Sequence, residues 1–147
     1  MKVKALDLTK EFPESPKILT AGYCHLARMR DKARAKSAGN LGEYIYPCPL
    51  DQKLLGFLEI APEAFYEAAQ NSDDKELEAW VKRNAKSRSE GELRSWNKAF
   101  LGAKPDAPEK KEYFLGLLRK IDPSRNDIET WADLLDLDEK RVVPVRK

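Results

Sequence analysis

Residues 28–36 read Arg28-Met29-Arg30-Asp31-Lys32-Ala33-Arg34-Ala35-Lys36, with a base at every second position and one acid among them. At about 100° per residue, a helix through this stretch gathers Arg28, Lys32 and Lys36 into one stripe about 80° wide and sends Arg30 and Arg34 to nearly the opposite side. Leu19, Gly22, Leu26, Met29 and Ala33 then form an apolar strip between the two stripes. Like charges four residues apart repel by a few tenths of a kcal/mol per pair. Both stripes therefore call for acidic partners within the chain or an anion from outside.

The same helical period recurs outward from this segment. Segments 16–37, 50–59, 62–71, 73–86, 90–101, 107–121 and 126–136 each carry an apolar face, for example Leu54, Leu55 and Leu58, or Phe114, Leu117, Leu118 and Ile121. Start signals precede them. Ser15-Pro16 reads as an N-cap followed by proline in the first turn. Asp73-x-x-Glu76, Ser89-x-x-Glu92 and Asn126-x-x-Glu129 read as capping boxes. The expected fold is all-α: a single domain over 1–147, a bundle of six or seven short helices. Tyr44-Ile45-Tyr46 and Val142-Val143-Pro144-Val145 have strand character and length for only a minor two-strand pairing.

The chain has 147 residues, 35% charged, with a formal net charge of +2. That balance is too weak for a general polyanion binder, and nucleic acid is disfavoured as a partner. Any anion site is local. Acid collects near the end: Asp122, Asp127, Glu129, Asp133, Asp136, Asp138 and Glu139 face only Arg125 within 122–139. This run competes with an external ligand for the bases of 28–36. No apolar run reaches the roughly 18 residues that span a bilayer. With two cysteines and no apolar export segment, a cytoplasmic protein with reduced thiols is expected.

Chemistry-bearing residues are few. The tryptophans Trp80, Trp96 and Trp131 lie on apolar faces and read as core anchors; only Trp96, near Arg94 and Lys98, has the setting of a base-stacking platform. Cys48 sits between Pro47 and Pro49 at a helix start, where unpaired amides favour a reactive thiol, although the preferred reading is a buried small hydrophobe in a rigid turn. Asp51 reads first as the cap or first-turn acid of that helix. Glu43 and Asp51 are the carboxylate pair that flanks this segment. His25 is the one histidine and reads as half-exposed on the Arg28, Lys32, Lys36 side. Cys24, His25 and Cys48 offer at most three metal ligands without a paired C-x-x-C spacing, so no metal is expected. No phosphate-loop or dinucleotide fingerprint occurs, and no cofactor is implied.

Ser15-Pro16, Gly22, Leu26, Arg28, Asp31-Lys32-Ala33-Arg34-Ala35, Gly42-Glu43-Tyr44, Cys48-Pro49-Leu50-Asp51, Phe57-Leu58 and Trp96-Asn97 together resemble the pattern of a bacterial family catalogued as domain of unknown function 5069. The resemblance implies a small cytosolic domain and transfers no activity, cofactor or catalytic residue. A chain that reverses at Gly39 to Gly42 would bring Tyr44 to Asp51 back along the first helix. The expectation is therefore a small anionic ligand, phosphate- or carboxylate-bearing, held by Arg28, Lys32, Arg34 and His25. Tyr44, Cys48 and Asp51 are the candidates for any catalysis. A protein-interaction module, using the basic helix on an acidic partner or the acidic 122–139 region on a basic one, is the alternative. A third reading has bases and acids satisfying one another internally. Ligand identity and oligomeric state stay open.

Overall fold

The computed structural model describes residues 3–145. Seven helices follow in order: α1 (Leu26–Ser37), α2 (Pro49–Leu58), α3 (Pro62–Asn71), α4 (Asp74–Asn84), α5 (Glu90–Leu101), α6 (Pro108–Ile121) and α7 (Trp131–Asp138). The all-α expectation holds. Two capping boxes form as read: Asp73 accepts from the Glu76 amide and Ser89 from the Glu92 amide, each reciprocated by the glutamate. Pro49, Pro62 and Pro108 occupy first turns, where a missing N–H costs nothing.

Two helices start later than their apolar period suggests. α1 begins at Leu26, not Pro16, because Ser15 Oγ accepts from the Lys17 amide and turns the chain instead of capping a helix. Thr20 and Tyr23 then exchange both backbone hydrogen bonds across Ala21 (φ 54°) and Gly22 (φ 88°), and His25 (φ 69°) is also left-handed. Three such residues cannot lie inside a right-handed helix. Leu19, assigned to the apolar strip, is consequently exposed. At the other end α7 begins at Trp131 with Thr130 as cap, and the Asn126-x-x-Glu129 box does not open a helix. Ile128 is still buried, but from an extended approach.

The expected pairing of 44–46 with 142–145 is absent among the described residues; the lone bridge joins Thr20 and Tyr23. Two apolar clusters hold the fold. The larger gathers Met29 and Ala33 of α1 with Leu54, Leu58, Phe65, Leu77 and Val81 from α2, α3 and α4, and the smaller joins Phe114 and Leu118 of α6 to Ile128, Leu134 and Val143. All three tryptophans are partly buried against these clusters. Trp96 stacks between Phe57 (4.7 Å) and Phe100 (5.0 Å), so its ring faces are already occupied. No helix among the described residues is long and apolar enough to cross a membrane.

Candidate functional site

Three of the five bases of α1 are buried rather than displayed: Arg28 is 2% exposed, Lys32 3% and Arg34 7%, while Arg30 is half-buried and Lys36 exposed. Burial of charge is costly unless each charge is paired and hydrogen-bonded, and each here is. Arg34 closes the C-terminal end of α3, donating to the Ala69 and Ser72 carbonyls (3.0 and 2.9 Å) and to Asp74 (2.8 Å). Arg30 bonds Asp31 and lies within ion-pair distance of Asp74. Lys36 reaches the Tyr46 carbonyl and lies over the Tyr46 and Tyr66 rings. Of the five bases, only Arg28 takes its acid from the 122–139 run.

That pair forms the first of two hubs. Arg28 grips Glu139 with both guanidinium arms (2.8 and 2.7 Å), and Tyr44 donates to the same carboxylate at 2.7 Å while its ring lies beside the guanidinium. Arg141 adds a further bond to Glu139 and one to the Pro13 carbonyl. Burial pushes the Glu139 carboxyl up, but the bonds from Arg28, Tyr44 and Arg141 prevail and hold it below its ordinary range. The Tyr44 hydroxyl moves the other way, raised by burial and by its bond to Glu139. Tyr44 is thereby part of a closed clamp between α1 and the end of α7.

The second hub lies one turn further along α1. Lys32 Nζ donates to Asp51 Oδ2 at 2.7 Å and to Cys48 Sγ at 3.1 Å. Asp51, fully buried, accepts from His25 Nε2 (2.7 Å) on its other oxygen and from the Cys48 amide (2.9 Å). The Asp51 amide points back at Cys48 Sγ (3.5 Å), so cysteine and aspartate form a capping box at the head of α2. Burial alone would raise the Asp51 carboxyl, yet the bond from His25 and the charge of Lys32 bring it to about 2. His25 is fully buried, not half-exposed as its position on the helix suggested, and burial depresses its pKa despite Asp51. Burial thus favours the neutral ring, and Nε2, facing the Asp51 carboxylate, is the nitrogen that carries the proton. Its Nδ1 has no hydrogen-bond partner among the described residues, which suits a bare lone pair better than an N–H.

The structure thus divides the expected site. Lys32, His25, Cys48 and Asp51 come together; Arg28 and Tyr44 belong to the neighbouring clamp, and Arg34 to the end of α3. Glu43 is exposed while Asp51 is enclosed, its bonds going to His25, Lys32 and the Cys48 amide. Cys24, also buried, has its thiol pushed up to about 12 by burial. Asp51, not Cys24, joins His25 and Cys48 in a set whose ligand atoms lie within 4.8 Å of one another. Such nitrogen, sulfur and oxygen donors suit zinc, but the Lys32 ammonium already serves as the cation bonded to two of the three.

Cys48 is the one member of this hub that is partly exposed. It opens into a cleft of about 440 Å³. Pro49, Leu50 and Lys53 of α2 line it together with Lys104 and Asp106 from the loop before α6, Lys110 and Tyr113 of α6, and Trp131 of α7. None of the α6 and α7 residues was legible as a site residue, because only tertiary packing brings them to the same cleft as Cys48. Both hubs lie within the span of the chain that a family model matches, residues 10–141. The chain belongs to the domain of unknown function family DUF5069. The match covers most of its length and confirms the resemblance read from residues 15–60 and Trp96-Asn97. No curated protein matches the chain.

Proposed function

We propose that this protein binds a small anionic molecule with an apolar body in the cleft beside Cys48, and does so in the cytoplasm. The observation that carries the reading is the lining of the cleft: three lysines, Lys53, Lys104 and Lys110, against one acid, Asp106, together with Pro49, Leu50, Tyr113, Trp131 and Cys48. Lys53 lines the cleft with Asp106, whose carboxyl it helps to lower through its charge without closing a short ion pair. Lys104 with Glu129 and Lys110 with Asp106 are exposed pairs, of the kind worth about 0–1 kcal/mol. A carboxylate or phosphate can therefore compete for these ammonium groups at little cost. The guanidinium donors of Arg28 and Arg34 are engaged by internal acceptors, which moves the expected anion contact from α1 to the lysines. Lys32 and His25 do not line the cleft and connect to it through Cys48 and Asp51. Two free cysteines fit a reducing compartment.

Calorimetric titration with phenylphosphate tests this. Binding to the wild type that weakens about tenfold or more in a Lys53→Glu, Lys110→Glu variant is the expected result. Equal binding by both proteins, or binding by neither, overturns it. Capture of a polyglutamate peptide in place of phenylphosphate would assign the same lysines to an acidic protein partner.

A further inference from the structure

We infer that Cys48 is a nucleophile that takes the acyl group of an anionic ester or amide bound in the cleft, with Lys32 as its proton donor and acceptor. The inference rests on the cleft reading above and adds a reaction to it. Sγ receives two donors, the Lys32 ammonium at 3.1 Å and the Asp51 amide at 3.5 Å. Donors converging on a partly exposed sulfur at a helix start stabilise it when it carries negative charge. Lys32 is itself held on the sulfur by Asp51, which His25 anchors from behind. A nucleophile, a proton-carrying partner and a third group that orients the partner make up the general layout of covalent catalysis. His25 takes up this post in a left-handed backbone (φ 69°), a strained conformation that surrounding structure must enforce.

The steps balance without a further reagent except water. Cys48, ionised to its thiolate, attacks the carbonyl carbon; a C–S bond forms as the carbonyl π electrons move to oxygen. The C–X bond breaks, and Lys32 passes a proton to the departing amine or alkoxide, leaving a thioester and a neutral Lys32. Water then attacks the thioester while the Lys32 amine takes its proton. The C–S bond breaks, and the acid product leaves with Cys48 again a thiolate and Lys32 again an ammonium. The substrate class is set by the cleft: an acyl chain with an apolar body and a terminal carboxylate or phosphate for Lys53 and Lys110.

Three probes separate the two readings: the mono-p-nitrophenyl ester of glutaric acid, the neutral p-nitrophenyl valerate of equal chain length, and the p-nitroanilide of glutaric acid. Intact-mass and peptide analysis should show a glutaryl adduct on Cys48, formed about tenfold or more faster than on thiols of the urea-unfolded chain, and then lost with turnover. Lys32→Arg keeps a charge beside Asp51 but cannot release a proton. It should retain the nitrophenol burst and lose about 100-fold in turnover, and should fail to cleave the anilide. Cys48→Ser should lose the adduct. If native Cys48 acylates no faster than the unfolded chain, or Lys32→Arg turns over like the wild type, the inference is wrong. Should Lys32→Arg fail to fold, the comparison of native with unfolded wild type decides alone. Equal acylation by glutarate and valerate esters would sink the anion cleft and leave the nucleophile standing; phenylphosphate binding with an inert Cys48 would do the reverse.

Discussion

Two buried charge hubs sit a turn apart on α1, and they are built for different ends. In the Arg28–Glu139 hub both guanidinium arms, both carboxylate oxygens and the Tyr44 hydroxyl are engaged, and the components come from α1, the segment after it and the end of α7. In the Lys32–Asp51 hub the charges are equally enclosed, but one acceptor is the sulfur of Cys48, which reaches a cleft. A satisfied polar clamp fixes chain segments to one another. A polar network with a reactive atom at its edge has that atom left over for chemistry.

The largest expected effect tests the first hub. Arg28→Ala leaves Glu139 buried without its main partner, and losing one member of such a pair costs about 3–5 kcal/mol. Urea unfolding should show that loss. Arg28→Met with Glu139→Leu removes both charges and should recover most of it. If the single variant loses less than about 1 kcal/mol, the clamp is not a clamp, and Arg28 returns to the set of residues free for a ligand.

The next effect separates the hubs by pH. The Arg28–Glu139 hub has no group that titrates between pH 5 and 8: Glu139 is held low and Tyr44 high. The Lys32–Asp51 hub has His25, whose folded pKa lies below its ordinary 6.5 because it is buried. As pH falls past 6.5 the unfolded chain takes up a proton that the folded chain resists, so stability is full above 6.5 and declines below it. The slope is at most about 1.4 kcal/mol per pH unit for one proton. Asp51 acts lower: its contribution is present above its ordinary 3.8 and is lost as pH falls toward about 2. Unfolding free energies from pH 8 to 5 should slope in the wild type and flatten in His25→Gln, which can still donate to Asp51. A flat wild-type profile would mean that His25 is not held neutral.

How much of this could be read beforehand follows from the range of the forces. Helix periods and capping boxes act within a few residues, so five of the seven helices were legible to within a residue or two. α1 and α7 were extended too far because apolar residues also line the turn at Thr20–Tyr23 and the approach at Ile128, where periodicity cannot tell loop from helix. Lys32, His25, Cys48 and Asp51 were all singled out by residue type, but their grouping was not. His25 read as half-exposed because nothing local announces that Asp51 will bond to its ring. Acid from the end of the chain was expected to compete for the bases, and Glu139 does so for Arg28 alone; Asp31, Asp51 and Asp74 serve Arg30, Lys32 and Arg34 from nearer in sequence, and Lys36 takes the Tyr46 carbonyl.

The smallest effect is the most informative about Cys48. Three helices open with a capping box, and two use residues suited to it: Asp73 accepts at 2.8 Å and Ser89 at 3.1 Å. The third uses Cys48, whose sulfur accepts at 3.5 Å. Oxygen caps a helix better than sulfur, and serine ranks among the preferred N-caps. Cys48→Ser should therefore keep the fold within about 1 kcal/mol of the wild type or stabilise it, since the hydroxyl can accept from both the Asp51 amide and Lys32. A thermal melt together with urea unfolding reads the difference. If Cys48→Ser instead costs several kcal/mol, the sulfur is a packing element, and the contrast between a closed clamp and an open thiol disappears. If it costs nothing, stability gives no reason for sulfur at this position, and its reactivity is the property that distinguishes it from the oxygen caps of α4 and α5.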